Sequence, residues 1–198
     1  MRFMMLITNL VVLNLLWLLC CVPVVTAGAA TVAMHSVLIG CLTQKDDAVV
    51  KPFFRAFRDN FRVVTPLWLV NALVGAVLAA EFVYLSVGGQ LWLKVVFGVL
   101  VFVYAAATSY LYPLLARYNT TAKQALLNSF ALSLRHLLSS ACVVILNAVP
   151  VVLLLSFPDL FWRTILVWTV IGFSLIACLD LKILLPVFRK YEPSSEEN

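Results

Sequence analysis

Between Arg2 and Lys45 no Lys, Arg, Asp or Glu interrupts the chain, and His35 is the one side chain there that titrates near neutral pH. As one helix at ~1.5 Å per residue this stretch would run about 63 Å, twice the ~30 Å hydrocarbon core of a bilayer. It is too long for one crossing and long enough for two, with a natural break at Pro23-Val24-Val25-Thr26-Ala27-Gly28. Four more apolar runs occur near 63–87, 91–115, 137–157 and 162–187. Short breaks at Gly88-Gly89-Gln90 and Ser156-Phe157-Pro158-Asp159 turn each pair into a hairpin. The pattern predicts an all-α, polytopic integral membrane protein of three helical hairpins. Six spans are expected, or five if residues 3–42 cross once. Segment 27–42 is short and carries His35, so it inserts poorly alone. Its Ala and Gly residues nevertheless suit close packing against a neighbouring helix.

The two long polar connections change pattern. In Pro52–Arg62, Phe53, Phe54, Phe57 and Phe61 recur at helical spacing, while Arg55, Arg58 and Arg62 occupy the remaining surface. Pro52 suits a first helical turn. In 121–136, Leu126, Phe130 and Leu134 form a second stripe, with Thr120 or Thr121 as N-cap. Both segments read as amphipathic helices that lie under the bilayer with a basic face on anionic lipid. The sharper alternative is a docking surface for a partner, carried by Phe53, Arg55, Phe57, Arg58 and Phe61.

Composition agrees with a membrane solvent. Of the 198 residues 64% are hydrophobic and 12% charged, and the mean hydropathy is +1.04; a soluble domain has about 25% charged residues. The net charge of +5 would suggest nucleic acid in a soluble protein. Here the basic residues flank apolar runs, so they set orientation instead: both long connections and the C-terminus are expected in the cytoplasm, and no nucleic-acid partner is. The five cysteines sit in apolar stretches without CxxC or Cys/His spacing, which points to packing and not to disulfides or metal. Ala27-Gly28-Ala29 imitates a signal-peptide cleavage site, but the apolar run before it exceeds a signal core and the residues after it stay apolar. Trp17-Leu18-Leu19-Cys20 lacks the small residue that a lipidation box needs before its cysteine.

The chain is expected to form a single membrane domain over 1–198, with an N-terminal hairpin at 3–42 and two weak parallel repeats at 45–118 and 118–191. A constant shift superposes Phe57 on Phe130, Arg62 on Arg135, Pro113 on Pro186 and Tyr118 on Tyr191, at corresponding hairpin ends. Charges inside the spans are few. Glu81 and Lys94 flank an outer turn and are placed to pair across it; Asp180 is the deepest acid and the default functional candidate, with a paired structural acid as the alternative. His35 reads either as a hydrogen-bonded packing residue or as a proton relay. Asn9, Asn14, Asn71 and Asn147 read as polar links between helices.

No phosphate-binding loop, zinc-protease motif, Gly-x-Ser-x-Gly elbow or dinucleotide fingerprint occurs. With two histidines and no carboxylate cluster, no catalytic residue, metal site or cofactor is assigned, and an enzyme is not expected.

The run Asn14-Leu-Leu-Trp-Leu-Leu-Cys-Cys-Val-Pro23-Val-Val-Thr26-Ala-Gly28-Ala, then Phe53-Phe54-Arg-Ala-Phe57-Arg-Asp-Asn60-Phe61, closely resembles the YesL-like family of bacterial membrane proteins. That family shows N-L-L-W-L-x-x-x-x-P-x-V-T-x-G-A and then F-F-x-x-F-x-x-N-F, and the likeness extends through the weaker later spans. Family members often carry a longer polar N-terminal lead, so here the first helix is anchored on Arg2 alone. The resemblance implies a domain of unknown function, often encoded beside ABC importers and enzymes for complex carbohydrates. It transfers no catalytic or ligand residues; Pro23, Thr26, Gly28, Phe54, Phe57, Asn60 and Phe61 match its pattern without assigned chemistry. The expected function is therefore an accessory subunit or assembly factor of a carbohydrate ABC importer in the bacterial plasma membrane, with the bilayer and importer subunits as partners. The main alternative is a self-contained small-molecule transporter using Asp180 and His35 in a central cavity. An enzyme acting on lipid is the weakest reading. An importer's own permease is disfavoured, because neither cytoplasmic segment carries the Glu-Ala-Ala…Gly loop of such permeases.

Overall fold

A computed structural model describes residues 2–43, 48–88, 90–118 and 120–191. The charge-free stretch folds as a hairpin of α1 (Arg2–Cys21) and α2 (Ala27–Thr43), joined by a 3₁₀ turn at Val24–Thr26. Pro23 has no N–H to continue the first helix. The Thr26 hydroxyl donates to the carbonyls of Cys20 and of Pro23, the latter at 2.7 Å. A carbonyl left open at the end of α1 is thereby satisfied without water.

The chain continues through α3 (Val50–Gly88), α4 (Leu91–Arg117), α5 (Ala122–Arg135) and α6 (Leu137–Ser156). The last span is composite: α7 (Pro158–Arg163), α8 (Ile165–Val167), a π-helical turn at Trp168–Gly172, and α9 (Phe173–Arg189). Among the described residues six helices are long and apolar enough to cross a membrane, as the six-span expectation requires, and the protein is a multi-pass membrane protein. Gly89, of the break expected at Gly88-Gly89-Gln90, lies outside the described residues.

Helix α2 is the axis of the bundle. Half of its spanning segment is buried inside the protein, against 6% for α3 and α4. Small residues make this possible: Ala29, Ala30 and Ala33 are fully enclosed. At Gly28 a Cβ would lie 2.3 Å from the Trp68 Cβ on α3, so only glycine permits this crossing. The outward faces of α3 and α4 carry exposed Leu73, Val77, Val95 and Val99, which suit contact with lipid.

The two amphipathic segments differ from each other. The first is not a separate helix under the bilayer; it is the beginning of α3, which continues unbroken for 39 residues through Pro66. The second is separate. His136 leaves helical geometry at φ −121° and ψ 57°, ending α5 and starting α6. The break is held by Ser140, whose hydroxyl is 2.7 Å from the Ser133 carbonyl, and by the His136 ring, 3.1 Å from the Tyr191 hydroxyl. Thr121 caps α5, accepting from the Gln124 amide at 3.4 Å. The buried face of α5 is the small-residue stripe Ala125, Ser129 and Ser133, so Leu126, Phe130 and Leu134 point outward as an interfacial helix requires.

Candidate functional site

Asp180 on α9 is 5% exposed and His35 on α2 is 6% exposed, and both line one cavity of about 500 Å³. Their helices place them near the middle of the bundle. His35 sits at the centre of α2, and Asn147, which lines the same cavity, at the centre of α6. Asn147 Nδ2 donates to Asp180 Oδ2 at 2.7 Å and to the Val143 carbonyl at 2.9 Å. Both neighbours accept only, which fixes the amide orientation and leaves Asn147 Oδ1 as an acceptor. Asp180 Oδ1 is buried and has no hydrogen-bond partner among the described residues.

His35 Nδ1 lies 2.8 Å from the Thr31 carbonyl. A carbonyl cannot donate, so Nδ1 carries the proton and Nε2 of the neutral ring is the acceptor. The Thr31 hydroxyl donates to the Ala27 carbonyl at 2.8 Å and accepts from Trp17 Nε1 at 3.1 Å, tying α1 to α2 beside the ring. On α3, Asn71 organises another wall: the Tyr104 hydroxyl donates to its carbonyl at 2.6 Å, Thr108 donates to its Oδ1 at 3.3 Å, and its Nδ2 donates to Tyr112 at 3.4 Å. Trp17 and Phe173, with ring centroids 5.0 Å apart, supply an aromatic surface.

Backbone irregularity converges on the same place. Pro113 of α4 and Pro150 of α6 line the cavity, and each removes an amide that would otherwise bond to the carbonyl four residues earlier. In the last span the π turn immediately precedes Phe173. Asn14, fully buried on α1, secures this turn. Its Nδ2 donates to the Trp168 and Thr169 carbonyls at 3.0 and 2.7 Å, and its Oδ1 accepts the Ser174 amide at 2.9 Å.

The remaining residues singled out by the sequence lie elsewhere. Glu81 is exposed toward the far end of α3, away from Asp180 and His35. Phe53 is enclosed in the core with Leu10, Leu38 and Phe188, and Phe57 packs against that core. Rings 53, 57 and 61 form a ladder along α3, with centroid spacings of 6.4 and 5.7 Å. Phe53 and Phe57 are therefore part of the protein's own packing, while Phe54, Arg55, Arg58 and Arg62 remain exposed. Asn60 bonds its own helix, at 2.9 Å from the Ala56 carbonyl. Pro23 and Thr26 make the hairpin turn, and Gly28 makes the α2–α3 crossing. The sequence marks Asn147 as a helix link without pairing it to Asp180, and it does not single out Tyr104, Tyr112, Pro113 or Pro150 as site residues. Interior prolines are a weak signal, since four spanning helices carry one, Pro66, Pro113, Pro150 and Pro186, and of these Pro113 and Pro150 line the cavity.

Among the described residues no three of His, Cys, Asp and Glu gather as a metal site. No curated protein and no solved structure matches the chain. A family model described as "Protein of unknown function, DUF624" matches residues 10–82, the segment from α1 through α2 into α3 that contains Pro23, Thr26, Gly28, Phe54 and Asn60. Over that segment the chain is similar to this family of proteins of unknown function.

Proposed function

We propose that the protein is a transport protein of the bacterial plasma membrane, without catalytic activity, that takes a small solute into the cavity between α1, α2, α4, α6 and α9. One observation carries the reading: Asp180, a buried acid with one oxygen left without a hydrogen-bond partner, lines a cavity of about 500 Å³, within the usual ~300–1,000 Å³ of ligand pockets. An intramembrane acid is costly and marks a solute or ion pathway by default. The π turn at Trp168–Gly172 beside it makes the last span irregular, as helices at midplane sites in transporters often are. By the positive-inside rule, Arg55, Arg58 and Arg62 in the first long connection, Arg117, Lys123 and Arg135 in the second, and Arg189 after the last span support a cytoplasmic side for both connections and the C-terminus.

A second reading keeps the protein as an accessory subunit of a carbohydrate ABC importer. It draws on the resemblance to the YesL-like family and on the exposed Phe54, Arg55, Arg58 and Arg62 at the start of α3. That surface suits charge-steered docking.

Reconstitution separates the two. Vesicles containing this protein alone should accumulate a solute from a radiolabelled panel of amines, amino acids and sugars, and Ala105→Phe, which fills the cavity, should abolish the accumulation. Absence of uptake by the isolated protein, with stoichiometric recovery of importer subunits from native membranes, would establish the accessory role instead.

A further inference from the structure

We infer that the solute held in this cavity carries a primary ammonium group, seated among Asp180 Oδ1, Asn147 Oδ1 and His35 Nε2. The inference rests on the cavity being a binding site, and it adds the chemical class of what binds.

The donors along the wall are already engaged within the protein. Trp17 donates to Thr31, Thr31 to the Ala27 carbonyl, Tyr104 to the Asn71 carbonyl and Thr108 to Asn71 Oδ1. Ser109 donates to the Ala105 carbonyl at 2.8 Å. Both Asn147 amide hydrogens are used by Val143 and Asp180. Among the lining polar groups, the Tyr112 hydroxyl alone keeps a hydrogen to offer. What is left without a donor is a set of acceptors on three helices: Asp180 Oδ1, which is enclosed beside the cavity, Asn147 Oδ1 and His35 Nε2.

Such a site discriminates by chemistry. An anion meets the Asp180 charge. A sugar's hydroxyls can donate to these acceptors, but its many oxygens would lose water with almost no wall donors to replace it, and its ring has no charge to match Asp180. A bare metal cation of the hard class needs six or more oxygens at close range, more than an apolar-walled space of about 500 Å³ provides. A primary ammonium has three N–H donors for three acceptors and one positive charge for the buried carboxylate. The aromatic rings of Trp17 and Tyr104, which also line the cavity, favour a cation as well. The rest of the solute is apolar, matching Phe173, Ile176 and Val151. Lipid headgroup amines stay at the interface, about 15 Å from a midplane site, so the solute is a free amine.

The test uses the full-length protein in phosphatidylcholine nanodiscs, which contain no primary amine lipid. Binding of 2-phenylethylamine is compared by calorimetry with that of 2-phenylethanol, its neutral isostere, and of glucose. The amine should bind saturably and at least about tenfold more tightly than the alcohol, a modest factor for a charged hydrogen bond. Asp180→Asn should lower amine affinity by a similar factor without affecting monodispersity, and Ala105→Phe should abolish binding. The amine–alcohol comparison on the unmodified protein stands even if Asp180→Asn fails to insert. Equal affinity for amine and alcohol would overturn the ammonium assignment. Glucose binding that Ala105→Phe removes would overturn it too, while leaving the cavity as a binding site. No saturable binding of any of the three would overturn both.

Discussion

Gly28→Ala adds one methyl group at the tightest point of the bundle. Its Cβ would stand 2.3 Å from Trp68 Cβ and 2.6 Å from Trp68 Cγ, whereas ordinary contact begins near 3.4 Å. Trp68 Cβ is anchored to the α3 backbone and cannot rotate away, so α2 and α3 must separate by at least about 1 Å locally. Overpacking of this kind costs about 1–3 kcal/mol. At about 2–4 °C per kcal/mol for a chain of this size, the detergent-solubilised protein should melt several degrees lower. In a double-mutant cycle with Trp68→Gly, which removes the obstructing atoms, the two changes should be strongly non-additive. Amine affinity per folded molecule should stay unchanged, because Gly28 touches the α3 crossing and not the cavity. Wild-type melting of Gly28→Ala would refute the claim that this glycine exists for close packing.

Asn14→Leu removes three hydrogen bonds at the π turn and should destabilise by about 1–3 kcal/mol, measured by thermal melting, since buried polar groups are left unpaired. Phe53→Ala should cost about 3–5 kcal/mol, as for other buried aromatic truncations. Arg55→Glu with Arg58→Glu, on the exposed side of the same helix, should change stability by no more than about 0.5 kcal/mol per site. Equal losses from the two would contradict the placement of Phe53 in the core. Reporter tags at both termini should be cytoplasmic in intact cells, and an N-terminal tag reachable from outside would refute the even number of crossings.

The spans were legible because hydrocarbon tolerates so few charges: the length of the stretch from Arg2 to Lys45, set against the bilayer, favours a hairpin over the single crossing that the sequence also allows. Asp180 was legible for the same reason. The continuity of α3 was not. Its amphipathic start and apolar remainder differ in the surface they meet, but backbone hydrogen bonding does not respond to that change, and Pro66 is accommodated within the helix. The Phe53–Phe57–Phe61 stripe was visible as a periodicity, yet periodicity cannot tell an outer face from one that meets α1 and α2. In α5 the apolar stripe lies outward and the packed face is Ala125, Ser129 and Ser133, small residues that a hydrophobic periodicity does not mark. The Asn147–Asp180 pair joins residues on different spans, and four asparagines were equally eligible to meet the acid.

The most direct measurement of the central claim asks whether the middle of the bundle admits a water-borne cation. In protein whose five cysteines are replaced, Thr108→Cys places a thiol on the cavity wall and Val96→Cys places one on the exposed face of α4. Thiol modification requires the thiolate, which forms only where water reaches. In sealed vesicles methanethiosulfonate ethylammonium should modify the residue 108 thiol, more slowly when 2-phenylethylamine is present, and should leave the residue 96 thiol unmodified. A residue 108 thiol as inert as the one at 96 would mean that the cavity is dry packing and not a binding site.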